Sequence, residues 1–208
     1  MPDTPYNLWV RRELGDYVDA PEGSRIEIIE GEVVVSPAPG IAHGNILRHI
    51  TRAFDRAEDA DPDFPWAAQQ GAELELVGLT HGYIPDLVIA AEDLLDAAGD
   101  AELSRLMSDE IEMAIEVTSP KGAELDRPPH SAPRRKKNKW SGYARAGVPY
   151  YLLVDRSPKA ARTTLFSIPD QSVGAYLHQE SRDFGEPIHL PEPFGIEIDT
   201  GRWRPWKA

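Results

Sequence analysis

Hydrophobic and polar positions alternate along the chain in two rhythms, and those rhythms predict its elements. Residues 6–18 place Leu8, Trp9, Leu14 and Tyr17 at spacings that predict a short helix. Arg25–Ile29 and Val33–Val35 are β-branched runs around Glu30-Gly31-Glu32, which predicts a hairpin. Ser36-Pro37-Ala38-Pro39-Gly40 breaks the pattern. From Ala42 to Glu58, Ile46, Leu47, Ile50, Ala53, Phe54 and Ala57 recur near 3.6 residues and predict an amphipathic helix. Strands are expected at 66–70, 72–79 and 85–90, a local helix at 92–98, and an acidic helix or loop at 100–109. Ile111–Thr118 is apolar on both faces, as in a central strand covered by helices.

A proline-containing loop then spans 119–132, a helix is expected from Pro133 to Ala146, and Gly147 and Pro149 end it. Tyr150–Val154 reads as a buried strand. Segments at 163–168, 173–179, 187–190 and 196–198 read as a closely spaced antiparallel extension. The order of elements predicts one α/β domain over residues 1–208, a mixed β-sheet flanked by helices with antiparallel C-terminal strands.

Charge changes this picture locally. The 208 residues carry a net charge of −13, which argues against broad coating of nucleic acid by a summed positive field. Yet residues 121–147 hold eight basic side chains against Glu124 and Asp126. The plain reading of such a run is a solvated surface; the sharper one is an anion-binding face. The chain has no cysteine, which removes disulfides, thiolate metal sites and cysteine nucleophiles. No secretory leader or apolar run of about 18 residues is visible, so a cytoplasmic protein without a membrane anchor is expected.

The chemistry concentrates between Pro85 and Asp155. Asp86 and Glu116 are acids embedded in apolar strands, and a carboxylate without water needs a partner. Taken singly, Asp86 reads as a capping or turn residue and Glu116 equally as half of a salt bridge. Together they could hold Mg2+, with the Val117 carbonyl as a third oxygen. A lysine two residues after Glu116 would share its strand face, but Thr118 stands there. The following helix offers a replacement: Lys136, Lys139 and Tyr143 fall on one stripe, with Lys139 the first choice and Lys136 the second. Glu30 is a turn acid that could join as an N-terminal ligand. His43 and His49 lie on different faces of their helix and read as surface or structural residues.

Pro85-Asp86, Glu116-Val117-Thr118-Ser119-Pro120 and the run from Lys139 through Tyr143 to Asp155 resemble the Uma-type "putative restriction endonuclease" family (DUF820-like). That family belongs to the PD-(D/E)XK nuclease superfamily. Glu30-Gly31, Ser36-Pro37 and His43-Gly44 fit its N-terminal pattern, and the resemblance spans about residues 20–160. It implies a restriction-endonuclease-like fold, a Mg2+ or Mn2+ centre, DNA as substrate and a homodimer. Asp86 and Glu116 would be the metal-binding acids and Lys139 the displaced lysine. One departure is that the aspartate expected about four residues before that lysine is absent, Asp126 lying thirteen before it. The alternative is an inactive relative that binds nucleic acid or protein.

Overall fold

The computed structural model describes residues 3–129 and 138–207. Its helices are α1 (Pro5–Val10), α2 (Ile41–Ala60), α3 (Glu92–Asp100), α4 (Ala123–Asp126) and α5 (Lys139–Arg145). The strands are β1 (Arg25–Ile29), β2 (Glu32–Ser36), β3 (Trp66–Gln69), β4 (Glu73–Leu76), β5 (His81–Tyr83), β6 (Leu87–Ala91), β7 (Arg105–Met107), β8 (Ile111–Val117), β9 (Tyr150–Asp155), β10 (Arg162–Asp170), β11 (Ala175–Asp183), β12 (Ile188–Leu190) and β13 (Ile196–Ile198).

They build two large mixed sheets where the sequence suggested one. The first runs β2-β1-β5-β4-β7 and the second β11-β10-β9-β8-β6-β3, with β12 and β13 as a separate pair. In the second sheet β8 and β9 are parallel and every other neighbour is antiparallel, so the expected antiparallel extension is present as β10 and β11.

Side chains alternate across a strand, so β8 divides its residues between two cores. Met113, Ile115 and Val117 pack with Ile46, Leu47, Ile50 and Phe54 of α2. Ala114 joins Ile29, Leu74, Tyr83, Tyr143 and Tyr151 in the layer between the two sheets. The same alternation puts Glu27 on the Ile29 side of β1 and Glu116 on the Ala114 side of β8. Three acids on separate segments (Glu27, Asp86 and Glu116) therefore share the space between the sheets.

Several boundaries differ from the sequence reading for identifiable reasons. The helix expected over 6–18 splits into α1 and a 3₁₀ turn at Leu14–Tyr17, with Arg12 between them at φ 60°. The acidic 100–109 stretch contains β7, whose Arg105 pairs across the sheet with Glu75 of β4. The 119–132 loop contains the single turn α4. The helix predicted from Pro133 is described only from its cap, Asn138, so Lys136 lies outside the described residues. Among the described residues no helix is long and apolar enough to cross a membrane.

Candidate active site

Asp86 ends the short connection from β5 and enters β6, which pairs antiparallel with β8 through Leu87 and Ile115. One step beyond that pair, Asp86 faces the Glu116–Val117 end of β8, and the Val117 amide donates to Asp86 Oδ2 at 2.8 Å. The other oxygen, Oδ1, receives Arg25 Nη1 at 2.5 Å, and His43 Nε2 lies 2.9 Å away. Burial opposes ionisation of Asp86, but His43, Arg25 and the Val117 amide together hold its carboxyl below the usual range.

Glu116 is buried at the same edge. Its Oε1 accepts from Lys139 Nζ at 3.0 Å and from the Tyr143 hydroxyl at 2.7 Å. The Lys139 amine also lies 2.7 Å from Glu27 Oε1, which accepts the Ile84 amide at 2.8 Å. Burial pushes Glu116 up to about 7, and Asp86 and Glu27 add to that shift while Lys139 opposes it. Lys139 itself is held well above its ordinary range, because Glu116, Glu27 and Asp126 outweigh the cost of burial.

Local sequence explains how a lysine reaches this depth. Asn138 caps α5 by accepting the Ser141 amide at 2.9 Å, and its side-chain amide donates to the Arg127 carbonyl. Gly142 lets the helix approach Tyr83 of β5, where an added Cβ would overlap the tyrosine hydroxyl. Lys139 is thereby fixed at the first residue of α5, next to the positive end of the helix dipole. That position disfavours a cation, so its place follows from the acids it meets.

A cavity of about 410 Å³ opens over these groups. Its walls include Arg25, His43, Asp86, Glu116, Val117, Asp126, Lys139 and Arg156, together with the Ser36–Gly40 segment that leads into α2. Asp126, at the end of α4, is buried, and among the described residues its carboxylate makes no hydrogen bond or ion pair. Burial and the neighbouring Glu116 push it well up.

The structure thus brings Asp86, Glu116, Val117, Lys139 and Tyr143 together. It does not bring Glu30 to them: that residue sits in the β1–β2 turn at φ 52°, 3.5 Å from Arg145. The N-terminal acid at the cavity is Glu27, which the sequence reading passed over. The available sign was an acid flanked by isoleucines within a strand, the same pattern that singled out Glu116. His43, read from the sequence as structural or surface, is buried against Asp86. His49, by contrast, accepts the Trp203 indole N–H at 3.2 Å, a structural contact.

The donor set can be tested against a divalent ion. Among the described residues no three His, Cys, Asp or Glu side chains converge as a ready-made cage. Magnesium does not need one, since it is commonly held by one or two carboxylates with waters and substrate oxygens. Four buried acids (Glu27, Asp86, Glu116 and Asp126) face Arg25 and Lys139, and two of the four are pushed toward protonation. Such a surplus of acidic groups, two of them resisting ionisation without a cation beside them, fits a divalent ion.

Comparison with known proteins adds the family. No functionally curated protein matches the chain. Among solved structures, a "putative nuclease belonging to DUF820" from Anabaena variabilis ATCC 29413 is similar in fold. It has a TM-score of 0.60 at 16% sequence identity, over 88% of this chain and 89% of that one. The model of the Uma2 family, described as "Putative restriction endonuclease", matches residues 13–201, and the chain belongs to that family.

Proposed function

We propose that the protein is a Mg2+- or Mn2+-dependent endonuclease that hydrolyses phosphodiester bonds of DNA. The observation that carries the reading is the meeting of Asp86 and Glu116 at one cavity edge with the buried amine of Lys139 3.0 Å from Glu116. Family membership supports a nuclease-like function at the coarser level.

Asp86 and Glu116 would hold the ion, with the Val117 carbonyl as a further oxygen. When bound, the ion would lower the pKa of a water ligand and offset charge on the phosphoryl oxygens. The chain's own groups supply the rest. Lys139 presents a fixed positive charge where a phosphate entering the cavity would develop negative charge. Glu27 holds that amine from the other side at 2.7 Å, and the Tyr143 hydroxyl fixes the orientation of Glu116. His43 and Arg25 orient Asp86 and keep it ionised. A homodimer, as the family resemblance suggests, would give two such sites for the two strands of a duplex.

A second reading has its own observation. Arg25 on Asp86 and Lys139 on Glu116 already supply cationic partners from within the chain, as in a nuclease-fold binding protein without catalysis. Incubation of plasmid and oligonucleotide DNA with Mg2+ or Mn2+ separates the two. The endonuclease reading predicts cleavage that falls on the order of 10³-fold in Asp86→Ala and Glu116→Ala, equivalent to about 4 kcal/mol of transition-state stabilisation. Cleavage at full rate in both variants contradicts the site assignment. No cleavage by the wild type with either metal favours the binding protein.

A further inference from the structure

Among the described residues four arginines are largely buried, and three of them have carboxylate partners. Arg25 pairs with Asp86, Arg105 with Glu75 and Arg127 with Asp155. Arg156 is the most buried of them at 9% exposure, and among the described residues its guanidinium meets no carboxylate. Within the described residues its side chain has one hydrogen bond, from Nε to the Arg204 carbonyl at 3.4 Å. Acids are not scarce in a chain of net charge −13. The adjacent Asp155 is already engaged by Arg127 at 2.7 and 2.9 Å. Burial without a compensating acid lowers the Arg156 pKa. An uncompensated buried charge costs free energy, so its position asks for a reason outside the fold's own stability.

Its location supplies one. The parallel pair β8–β9 ends with Val117 beside Val154, so the chain carries Arg156 past that end next to Ser119. The backbone there is fixed: the Arg156 amide donates to Thr118 Oγ1 at 2.9 Å, and its carbonyl accepts the Trp206 amide at 3.0 Å. Glu116 pairs with Leu153, three residues before Arg156, a separation of roughly 10 Å at about 3.3 Å per residue. Arg156 lines the same cavity as Asp86, Glu116 and Lys139.

We infer that Arg156 is a phosphate seat, receiving the non-bridging oxygens of a backbone phosphodiester that neighbours the one to be cut. The inference rests on the nuclease reading and adds a substrate contact to it. A guanidinium suits the role because its planar fork matches phosphate oxygens and it is weakly hydrated compared with an ammonium. The contact would position the strand without reading its sequence. It also divides labour within the cavity, with Lys139 and the acids at the reacting phosphate and Arg156 holding register beside it.

Fluorescence anisotropy of labelled single- and double-stranded oligonucleotides tests this, with Ca2+ in place of Mg2+ and salt as the variable. Arg156→Ala should weaken binding and flatten the slope of log K against log salt by about 0.9 for duplex or about 0.7 for single strand, one phosphate contact's share. Arg156→Lys should keep most of the slope, and calorimetric Mn2+ binding should match wild type in both variants. An unchanged slope in a natively melting Arg156→Ala protein overturns the seat and leaves the nuclease reading standing. Failure of wild-type protein to bind either oligonucleotide overturns that reading, and the seat with it.

Discussion

Two clusters of charge lie against the sheets of this molecule, and they resolve the burial of acids in opposite ways. In the first, Glu73 and Glu75 of β4 face Arg105 and Arg12, with Arg105 Nη1 2.9 Å from Glu75 and the Tyr6 hydroxyl donating to Glu75 at 2.6 Å. Burial opposes ionisation there, yet Tyr6 and Arg105 hold Glu75 below its ordinary value. In the second, Glu27, Asp86, Glu116 and Asp126 outnumber Arg25, Lys139 and Arg156 at the cavity wall, and Glu116 is pushed up to about 7. Balanced pairing is what a structural ion network needs. Surplus acid at the wall of a cavity is unfavourable for the fold alone and becomes favourable once a cation arrives.

The two clusters should differ most in their response to losing the central cation. Lys139→Met leaves the acid cluster without its central cation, so stability should drop by about 3–5 kcal/mol, or roughly 10 °C in melting temperature. Excess Mn2+ should recover part of that loss. Arg105→Met in the other cluster should cost less, because its partners remain partly solvated, and Mn2+ should raise its melting temperature only as much as it raises that of the wild type. Equal Mn2+ responses in the two variants would erase the distinction.

A pH series tests the opposite shifts. Metal-free Glu116 binds its proton more tightly folded than unfolded, so its contribution to stability is present at low pH. That contribution is lost as pH rises from the ordinary value of 4.5 through about 7. Glu75 shows the reverse: its contribution is present above its unfolded value and lost as pH falls through the depressed folded one. Denaturant unfolding at several pH values should therefore show Glu116→Gln removing a neutral-side loss and Glu75→Gln reducing an acid-side loss.

The smallest expected effect is at Tyr143. Tyr143→Phe removes one hydrogen bond to a charged group, about 2 kcal/mol, and should lower the melting temperature by a few degrees while keeping cleavage measurable. Loss of cleavage as complete as in Glu116→Ala would give the hydroxyl a role beyond orienting the carboxylate.

Much of this arrangement was legible from the chain because its features are local. The 3.6-residue rhythm of Ile46, Leu47, Ile50 and Phe54 marks α2, and the apolar run around Glu116 marks a central strand. Asp86 and Glu116 stood out as charges in apolar settings, and Lys139 by its place on one helical stripe with Lys136 and Tyr143. What stayed hidden depends on distant contacts. The strands β5 and β7 have three residues each and are held by cross-strand partners rather than by their own pattern. Glu27 belongs to the site because the first sheet stacks over the second, which no spacing within 25–36 reveals. Glu30, in the neighbouring turn, is the acid the hairpin pattern exposes, and it lies against Arg145 away from the cavity. For His43, helical periodicity identifies a face but not the carboxylate that packs on it.

Calorimetric titration of Mn2+ into the wild type, Glu116→Ala and Glu75→Ala reads the acid cluster itself. Wild type and Glu75→Ala should bind the ion saturably, and Glu116→Ala should lose that binding at unchanged fold. Binding that survives in Glu116→Ala, or that is absent from the wild type, would contradict a metal site built on Glu116.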